Sequence, residues 1–467
     1  MPYPLAKLHP ERSPEERFGA ELRRWRVERK LKQPALAARV QVSSALISKI
    51  ERGVRRCLPE LAERLDEILE TGGALVSLLN ERLSPIRDAE GDSYDAEGDS
   101  SEKQAAVFGG RKAIMDSSRA HDEGPVERRE FMILAGAAAI GAPSSGLLSA
   151  LVPSTPPARV TAAEISQIRQ AAQLFSGLDH AYGGALVREA VTAQLRWSVQ
   201  LLSSKCPEKL RTRLLSAVGA LAATCGWMAF DDYAHEDARA MLELARKCAE
   251  EADDWHLRAK ALSHLGRQAV WLQDPDTGLT YIELALVRSD RLTATEQAML
   301  HTARARALAK MVRLGNRSKA EDALRAVGLA DAAFSDSDPT ADPPWMGYYD
   351  EAQHLGDTGH ALFDLAAAGL REPRAARRLA FAVKGHSDQY ARSRAISGTK
   401  LATLIMMTGD PSEAIAVARS ALRDAGQVRS RRAATDLAEL SSASAPHHRE
   451  HGVPELRVRI NKMVHDA

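Results

Sequence analysis

The chain has 467 residues, more than a single hydrophobic core usually serves, so we expect at least two independently folded units. Its 45% hydrophobic and 27% charged residues are typical of a globular protein, and 5% aromatic residues with abundant Ala, Leu, Arg and Glu favour helices over sheets. The net charge is only +1, and four scattered cysteines without metal-ligand spacing exclude a disulfide framework and a zinc site.

Charge is distributed unevenly along the chain. Between Arg17 and Arg56 there are twelve Lys and Arg against three acidic residues, a local charge of +9. From Asp88 to Glu130 twelve acidic residues face six basic ones, a local charge of −6. A basic module followed by an acidic tether indicates a polyanionic partner for the first module.

Residues 12–80 are predicted to form a bundle of short helices. Helical spacing of apolar residues predicts helices within 22–26, 31–40, 44–53 and 58–65. Two of these are joined by a three-residue turn, 41–43, so their apolar faces share one core, with Ala37 small where the helices cross. The core positions predicted for this pair are Leu36, Val40, Val42, Ile47 and Ile50.

The helix over 44–53 has its own start, stop and exposed face. Ser43 is a good N-cap and Gly53 a good C-terminal stop. Opposite the buried face, short side chains would let the helix enter a DNA major groove, while Lys and Arg would reach bases or phosphates. This exposed strip consists of Ser44, Ala45, Ser48, Lys49 and Arg52.

The segment from Phe18 to Leu69 resembles the XRE, or lambda-repressor-like, helix-turn-helix family. The resemblance implies that Gln33, Ser44 and Ala45 contact phosphates and bases, and that Arg26 and Glu51 form an internal salt bridge. Two residues depart from the family pattern: Gln41 replaces the usual turn glycine, and Lys32 replaces a Ser-type cap. The full predicted DNA-binding set is Gln33, Ser43, Ser44, Ala45, Ser48, Lys49, Arg52, Arg55 and Arg56, with the last three expected on phosphate.

Two segments separate this module from the rest of the chain. Residues 84–125 contain a duplicated acidic, Gly-containing unit and are predicted to be a disordered linker. Residues 126–157 are predicted to be a tether with a short apolar helix after Arg128-Arg129, too short to cross a bilayer. Without an apolar N-terminal segment, we expect a cytoplasmic protein that uses no membrane.

Residues 160–467 are predicted to be a helical repeat domain. Small residues recur at intervals of twelve and nineteen positions, for example from Gly226 to Ala238 and Ala245. This spacing and the turn 409–414 resemble tetratricopeptide repeats, which implies an α-solenoid. Three phrases, 178–184, 226–231 and 342–345, resemble large actinobacterial XRE regulators, and the overall plan is similar to peptide-sensing regulators of Gram-positive bacteria.

The concave face of such a solenoid would be lined by the first helices of successive pairs. Residues that would line it are Arg267, Gln268, Trp271, Arg304, Tyr348, Tyr349 and Gln353. Ordinary packing is the alternative for each, and Trp227 and Trp255 are expected in the core. The stretch 447–451, with three histidines, is interpreted as a solvated loop, and we expect neither metal nor cofactor.

The sequence predicts an all-α, sequence-specific transcriptional regulator that binds double-stranded DNA as a homodimer. Its repeat domain would mediate dimerisation and sense a peptide, small-molecule or protein signal. Without a phosphate-binding loop, a GxSxG or an HExxH motif, we expect no enzyme. The alternative is a tetratricopeptide interaction scaffold whose secondary DNA binding serves a plasmid or chromosome end.

Overall fold

The structure is a computed structural model that describes residues 13–40, 42, 44–83, 156–182, 187–426 and 431–465. The predicted linker 84–125, nearly all of the tether 126–157, Gln41 and the Ser43 cap lie outside the described residues. The described parts of the N-terminal and C-terminal regions belong to one compact unit. Every regular element among the described residues is a helix, and the only bridge between extended segments joins Arg159 and Lys205.

The N-terminal region is a bundle of five helices. Ser13 caps the first helix, because its hydroxyl accepts the backbone N–H of Glu16 at 3.1 Å. Lys32 precedes the second helix without a side-chain cap, as the sequence predicts. Gly53 has φ of +69° after the third helix, so it is the expected stop. The helices are α1 (Pro14–Glu28), α2 (Gln33–Arg39), α3 (Ser44–Glu51), α4 (Pro59–Leu69) and α5 (Ala74–Leu83).

One hydrophobic core holds these five helices together. Leu36, Val40, Ile47 and Ile50 are almost completely buried, and Val42 packs against them. The helical spacing therefore predicted this core correctly. Phe18 and Leu22 add α1, and Leu61, Leu65, Leu69 and Leu75 add α4 and α5.

The C-terminal region contains fourteen α-helices among the described residues. Acidic side chains cap several of them: Asp254 accepts from the N–H of Leu257, and Asp410 from that of Ser412. The helices are α6 (Ala162–Tyr182), α7 (Arg188–Gln200), α8 (Glu208–Asp231), α9 (His235–Glu251), α10 (Trp255–Trp271), α11 (Pro275–Leu286), α12 (Ala294–Arg313), α13 (Ala320–Ser335), α14 (Glu351–Ala367), α15 (Arg374–Gly385), α16 (Ala391–Thr408), α17 (Pro411–Ala425), α18 (Arg431–Ala443) and α19 (Val453–His465).

From α8 onward the helices form consecutive pairs. Each even-numbered helix packs on the odd-numbered helix that follows it and on the next even-numbered helix. The even-numbered helices therefore form one continuous inner layer. The segment that joins α13 to α14 contains a short 3₁₀ helix, Pro344–Tyr348.

Small residues permit the close approach within these pairs. A Cβ added to Gly266 would lie 2.6 Å from the Ile282 side chain and 3.1 Å from the carbonyl oxygen of Gly278. Ala238, Ala245 and Ala285 are fully buried at the predicted offsets. The two helices of a pair therefore approach each other closely at positions occupied by Gly or Ala.

Helix α8 is the one described helix with the length and composition to cross a membrane. Within its apolar window, 83% of the residues are buried inside the protein. This burial is what the central helix of a packed core shows.

We predict that Gly266→Ala lowers the free energy of unfolding by about 1–2 kcal/mol, because the added methyl group overpacks the α10–α11 contact. Gly328→Ala is the matched control: Gly328 lies within α13 with nothing within 4 Å of an added Cβ, so it should stabilise slightly. Thermal and urea denaturation of both variants measure the difference. Equal effects would show that the close approach at Gly266 is unimportant.

Candidate DNA-binding surface

The side chains predicted to meet DNA lie along α3. Ile47 and Ile50 face the core, while Ser44, Ser48 and Lys49 on the other side of the helix are partly exposed. Arg52 follows the helix, is exposed, and its Nε donates to the carbonyl of Ser48 at 3.2 Å. Ala45 belongs to α3, but its side chain lies outside the described residues, as does all of Ser43.

A buried carboxylate fixes the orientation of α3. Glu51 is 0% exposed and accepts from Arg26, whose Nη2 lies 2.8 Å from Oε2. Arg23, also on α1, places its Nε 3.7 Å from the same oxygen. The salt bridge between Arg26 and Glu51 is the one that the family resemblance implies. It ties α1 to α3 with a charge-assisted contact in a region shielded from water.

Gln33 has a structural role that sequence reasoning missed. Its Nε2 donates to Glu51 Oε2 at 2.7 Å, so the first residue of α2 joins the same cluster. Arg26 Nη1 also donates to the carbonyl of Leu31, at 2.8 Å. Together these bonds fasten the beginning of α2 to the end of α3.

The two arginines after α3 are placed differently from Arg52. Arg56 is partly exposed, with its Nε 3.5 Å from Glu15 Oε1. Arg55 was predicted to bind phosphate from an exposed loop, but it is only 9% exposed. The reason is a contact that no local pattern indicates: Arg55 packs against the C-terminal region.

That contact is centred on the end of α13. Arg55 Nη1 donates to Ser335 Oγ at 2.9 Å, and its guanidinium also forms an ion pair with Asp336. Lys49 Nζ lies 3.4 Å from the same Asp336 carboxylate. Burial lowers the pKa of Arg55. One carboxylate of the C-terminal region therefore holds two cations from the predicted DNA-binding set.

A third ion pair, between Arg377 and Glu63, joins α15 to α4. Leu58 adds an apolar contact, since it packs against the cluster that contains Phe334 and Tyr349. The N-terminal bundle thus meets the C-terminal region through both charged and apolar groups.

Comparison with protein families identifies the type of domain that the N-terminal bundle forms. Residues 17–79 match the family model of a helix-turn-helix domain. The matched segment begins within α1 and ends within α5, so it includes α3 and its exposed strip. Comparison with curated proteins and with solved structures finds no significant match. The helix-turn-helix domain makes DNA the partner that this surface indicates.

A second candidate site is a cavity of about 590 Å³ in the C-terminal region. Four of the seven predicted ligand residues line it: Arg267, Trp271, Tyr348 and Gln353.

The other three predicted ligand residues contact protein groups instead. Gln268 Nε2 donates to the carbonyl of His235 at 2.8 Å. The hydroxyl of Tyr349 lies 2.8 Å from Thr302 Oγ1, and Arg304 Nε donates to Glu283 at 2.6 Å.

The two tryptophans expected in the core are only partly buried. Trp227 lines the cavity, and its ring centroid lies 4.5 Å from that of His264. Trp255 lies under the guanidinium groups of Arg258 and Arg288, at 5.4 and 5.8 Å from the ring centroid. Both tryptophans also pack against a hydrophobic core cluster, so the expectation of core tryptophans holds in part.

The described residues include no group of three or more His, Cys, Asp or Glu side chains arranged to hold a metal ion. In the histidine-rich stretch, His448 and His451 are exposed, after the short 3₁₀ helix Ala445–His447.

We predict that Glu51→Gln destabilises the helix-turn-helix domain by about 3 kcal/mol, because it leaves Arg26 without its buried charge partner. Hydrogen exchange measured by mass spectrometry should become on the order of 100-fold faster for amides of α1 to α3.

Glu28→Gln is the matched control, since Glu28 is 47% exposed and its pair with Arg24 lies at the surface. It should change the exchange of the same amides by less than about threefold. Similar effects of the two substitutions would refute the central role of Glu51.

Proposed function

We propose that the protein is a sequence-specific transcriptional regulator that binds its operator as a homodimer and is controlled by its C-terminal region. The observation that carries the proposal is the partly exposed strip of α3 on a matched helix-turn-helix domain. Ser44 and Ser48 leave room for α3 to enter the major groove, and Lys49 is long enough to reach a phosphate beside the groove. Arg52 and Arg56 would bind phosphate on either side.

The dimer is proposed because one such domain contacts few base pairs. Two copies on an inverted repeat would place their α3 helices roughly 34 Å apart, one turn of DNA. The paired helices of the C-terminal region support a tetratricopeptide-like arrangement, which would supply the dimer interface. We place the protein in the cytoplasm, where its DNA would be, and infer no catalytic activity.

Control by the C-terminal region is supported by the contact at Asp336. Lys49 and Arg55 cannot hold a DNA phosphate while they hold this carboxylate. A signal that moves the end of α13 would therefore change the number of cations available to DNA. The cavity in the same region supports a role in sensing a ligand.

Ser44→Ala should change the preferred DNA sequence, because it removes a hydroxyl at the start of α3 that faces away from the core. Selection of bound sequences from a random library is the measurement. We expect discrimination at one or two base pairs per half-site to fall by about 1–3 kcal/mol. Ser77→Ala, at an exposed serine of α5, should leave the preference unchanged. An unchanged preference in both variants would mean that α3 does not read bases.

Asp336→Ala should increase affinity for operator and for random DNA alike, by up to about tenfold, because it releases Lys49 and Arg55 for phosphate. Fluorescence anisotropy with labelled duplexes measures both affinities. Asp338→Ala is the matched control, since the Asp338 carboxylate accepts from Thr340 within its own turn. If Asp336→Ala behaved like Asp338→Ala, the Asp336 contact would not restrain DNA binding.

A further inference from the structure

The cavity of the C-terminal region is formed mainly by the inner layer of helices. Side chains of α8, α10, α12, α14, α16 and α18 contribute to its wall, and Trp345 and Tyr348, from the segment that joins α13 to α14, complete one side. Its volume of about 590 Å³ lies within the range of pockets that hold small organic molecules.

The charges of the wall do not balance. Eight Lys and Arg line the cavity, against five Asp and Glu. Asp231 lies behind the wall, 2.5 Å from Arg392 and 2.6 Å from Arg432, and brings the acidic groups to six. The wall therefore carries two more cations than anions.

Ion pairs identify the two cations in excess. Six of the eight cations have a carboxylate within ion-pair distance: Arg267, Arg306, Arg313, Arg392, Lys400 and Arg432. Among the residues that the structure describes, no carboxylate lies within that distance of Lys260 or Lys310. Lys310 still interacts electrostatically with Asp364 and Glu439, so Lys260 is the uncompensated charge.

Lys260 has surroundings suited to a ligand. Its Nζ lies 5.3 Å from the ring centroid of Trp345. One turn further along α10, His264 has a buried Nδ1 without a hydrogen-bond partner among the described atoms, and Arg267 follows on the same face. Burial lowers the pKa of Lys260 to about 8.

The pKa of the neighbouring His264 reflects the same excess of positive charge. Burial, together with the charges of Lys260, Arg267 and Arg432, lowers the pKa of His264 well below its usual value. An unpaired ammonium and an unpaired imidazole nitrogen are both costly to keep away from water. An anion in the cavity would offset both costs.

We propose that this cavity binds a small organic anion. Its negatively charged group lies beside Lys260 and His264, and its planar apolar part packs against Trp227, Trp345 and Tyr348. The inference rests on the sensing role proposed above and gives that role a ligand chemistry. Its test uses no DNA, so the outcome is independent of whether α3 reads bases.

The experiment compares two fluorescent probes on the full-length protein. 8-Anilinonaphthalene-1-sulfonate combines an aromatic body with a fixed negative charge, whereas N-phenyl-1-naphthylamine has the same ring system without the sulfonate. We expect the protein to bind the sulfonate at least about tenfold more tightly than the neutral probe, as measured by fluorescence titration at pH 7.

Three variants test the role of Lys260. Lys260→Gln should weaken binding of the sulfonate about tenfold or more and leave binding of the neutral probe within twofold. Lys260→Arg should retain the preference for the sulfonate. Lys462→Gln, at an exposed lysine of α19, should change neither affinity.

Thermal unfolding separates a binding role from a structural one. Without probe, Lys260→Gln should melt at or above the temperature of the unmodified protein, because it removes an uncompensated charge. With the sulfonate, the unmodified protein should gain more in melting temperature than the variant. Equal binding of both probes, equal loss of both in Lys260→Gln, or a lower melting temperature of the probe-free variant would overturn the proposal.

Discussion

The helix-turn-helix domain depends on one buried carboxylate. Glu51 is fully shielded from water, and it would be costly there without the cations and the amide that surround it. Arg26 approaches from α1 and Gln33 from α2, while Glu51 itself ends α3. Because all three helices meet at this group, the angle at which α3 presents its exposed strip is set by charge as well as by apolar packing. Any DNA contact by α3 relies on that orientation.

The C-terminal region uses the same device between helix pairs. Asp357 on α14 accepts from Arg267 on α10 and Arg306 on α12. Burial alone would raise the pKa of Asp357, but the charges of these two arginines hold it well below its usual value. Asp331 on α13 accepts from Arg378 Nη2 at 2.7 Å and from His354. Such pairs fix the register of neighbouring helices, because a buried charge must keep its partner. Against this background of matched ions, an unmatched lysine in the cavity wall points to a missing negative charge.

Local sequence patterns predicted the features that depend on residues close together in the sequence. Apolar spacing found the core positions Leu36, Ile47 and Ile50, and the family resemblance supplied the pair of Arg26 and Glu51. Contacts between distant segments had no such signal. Arg55 looked like a loop cation because its partner, Asp336, is 281 positions away in the sequence. The excess charge of the cavity was hidden for the same reason, since its cations and carboxylates come from many separate helices.

The contact at Asp336 changes how the affinity for DNA should respond to ionic strength. Phosphate contacts normally release condensed counterions, so affinity falls as salt concentration rises. Lys49 and Arg55 would exchange a carboxylate for a phosphate, and added salt weakens both of these ion pairs. Weakening of the Asp336 ion pairs by salt favours DNA binding, whereas weakening of the phosphate contacts opposes it, so the two effects partly cancel. The number of released ions, derived from the salt dependence of affinity, would therefore be smaller than the number of Lys and Arg side chains that contact DNA. A salt titration would underestimate the number of phosphate contacts.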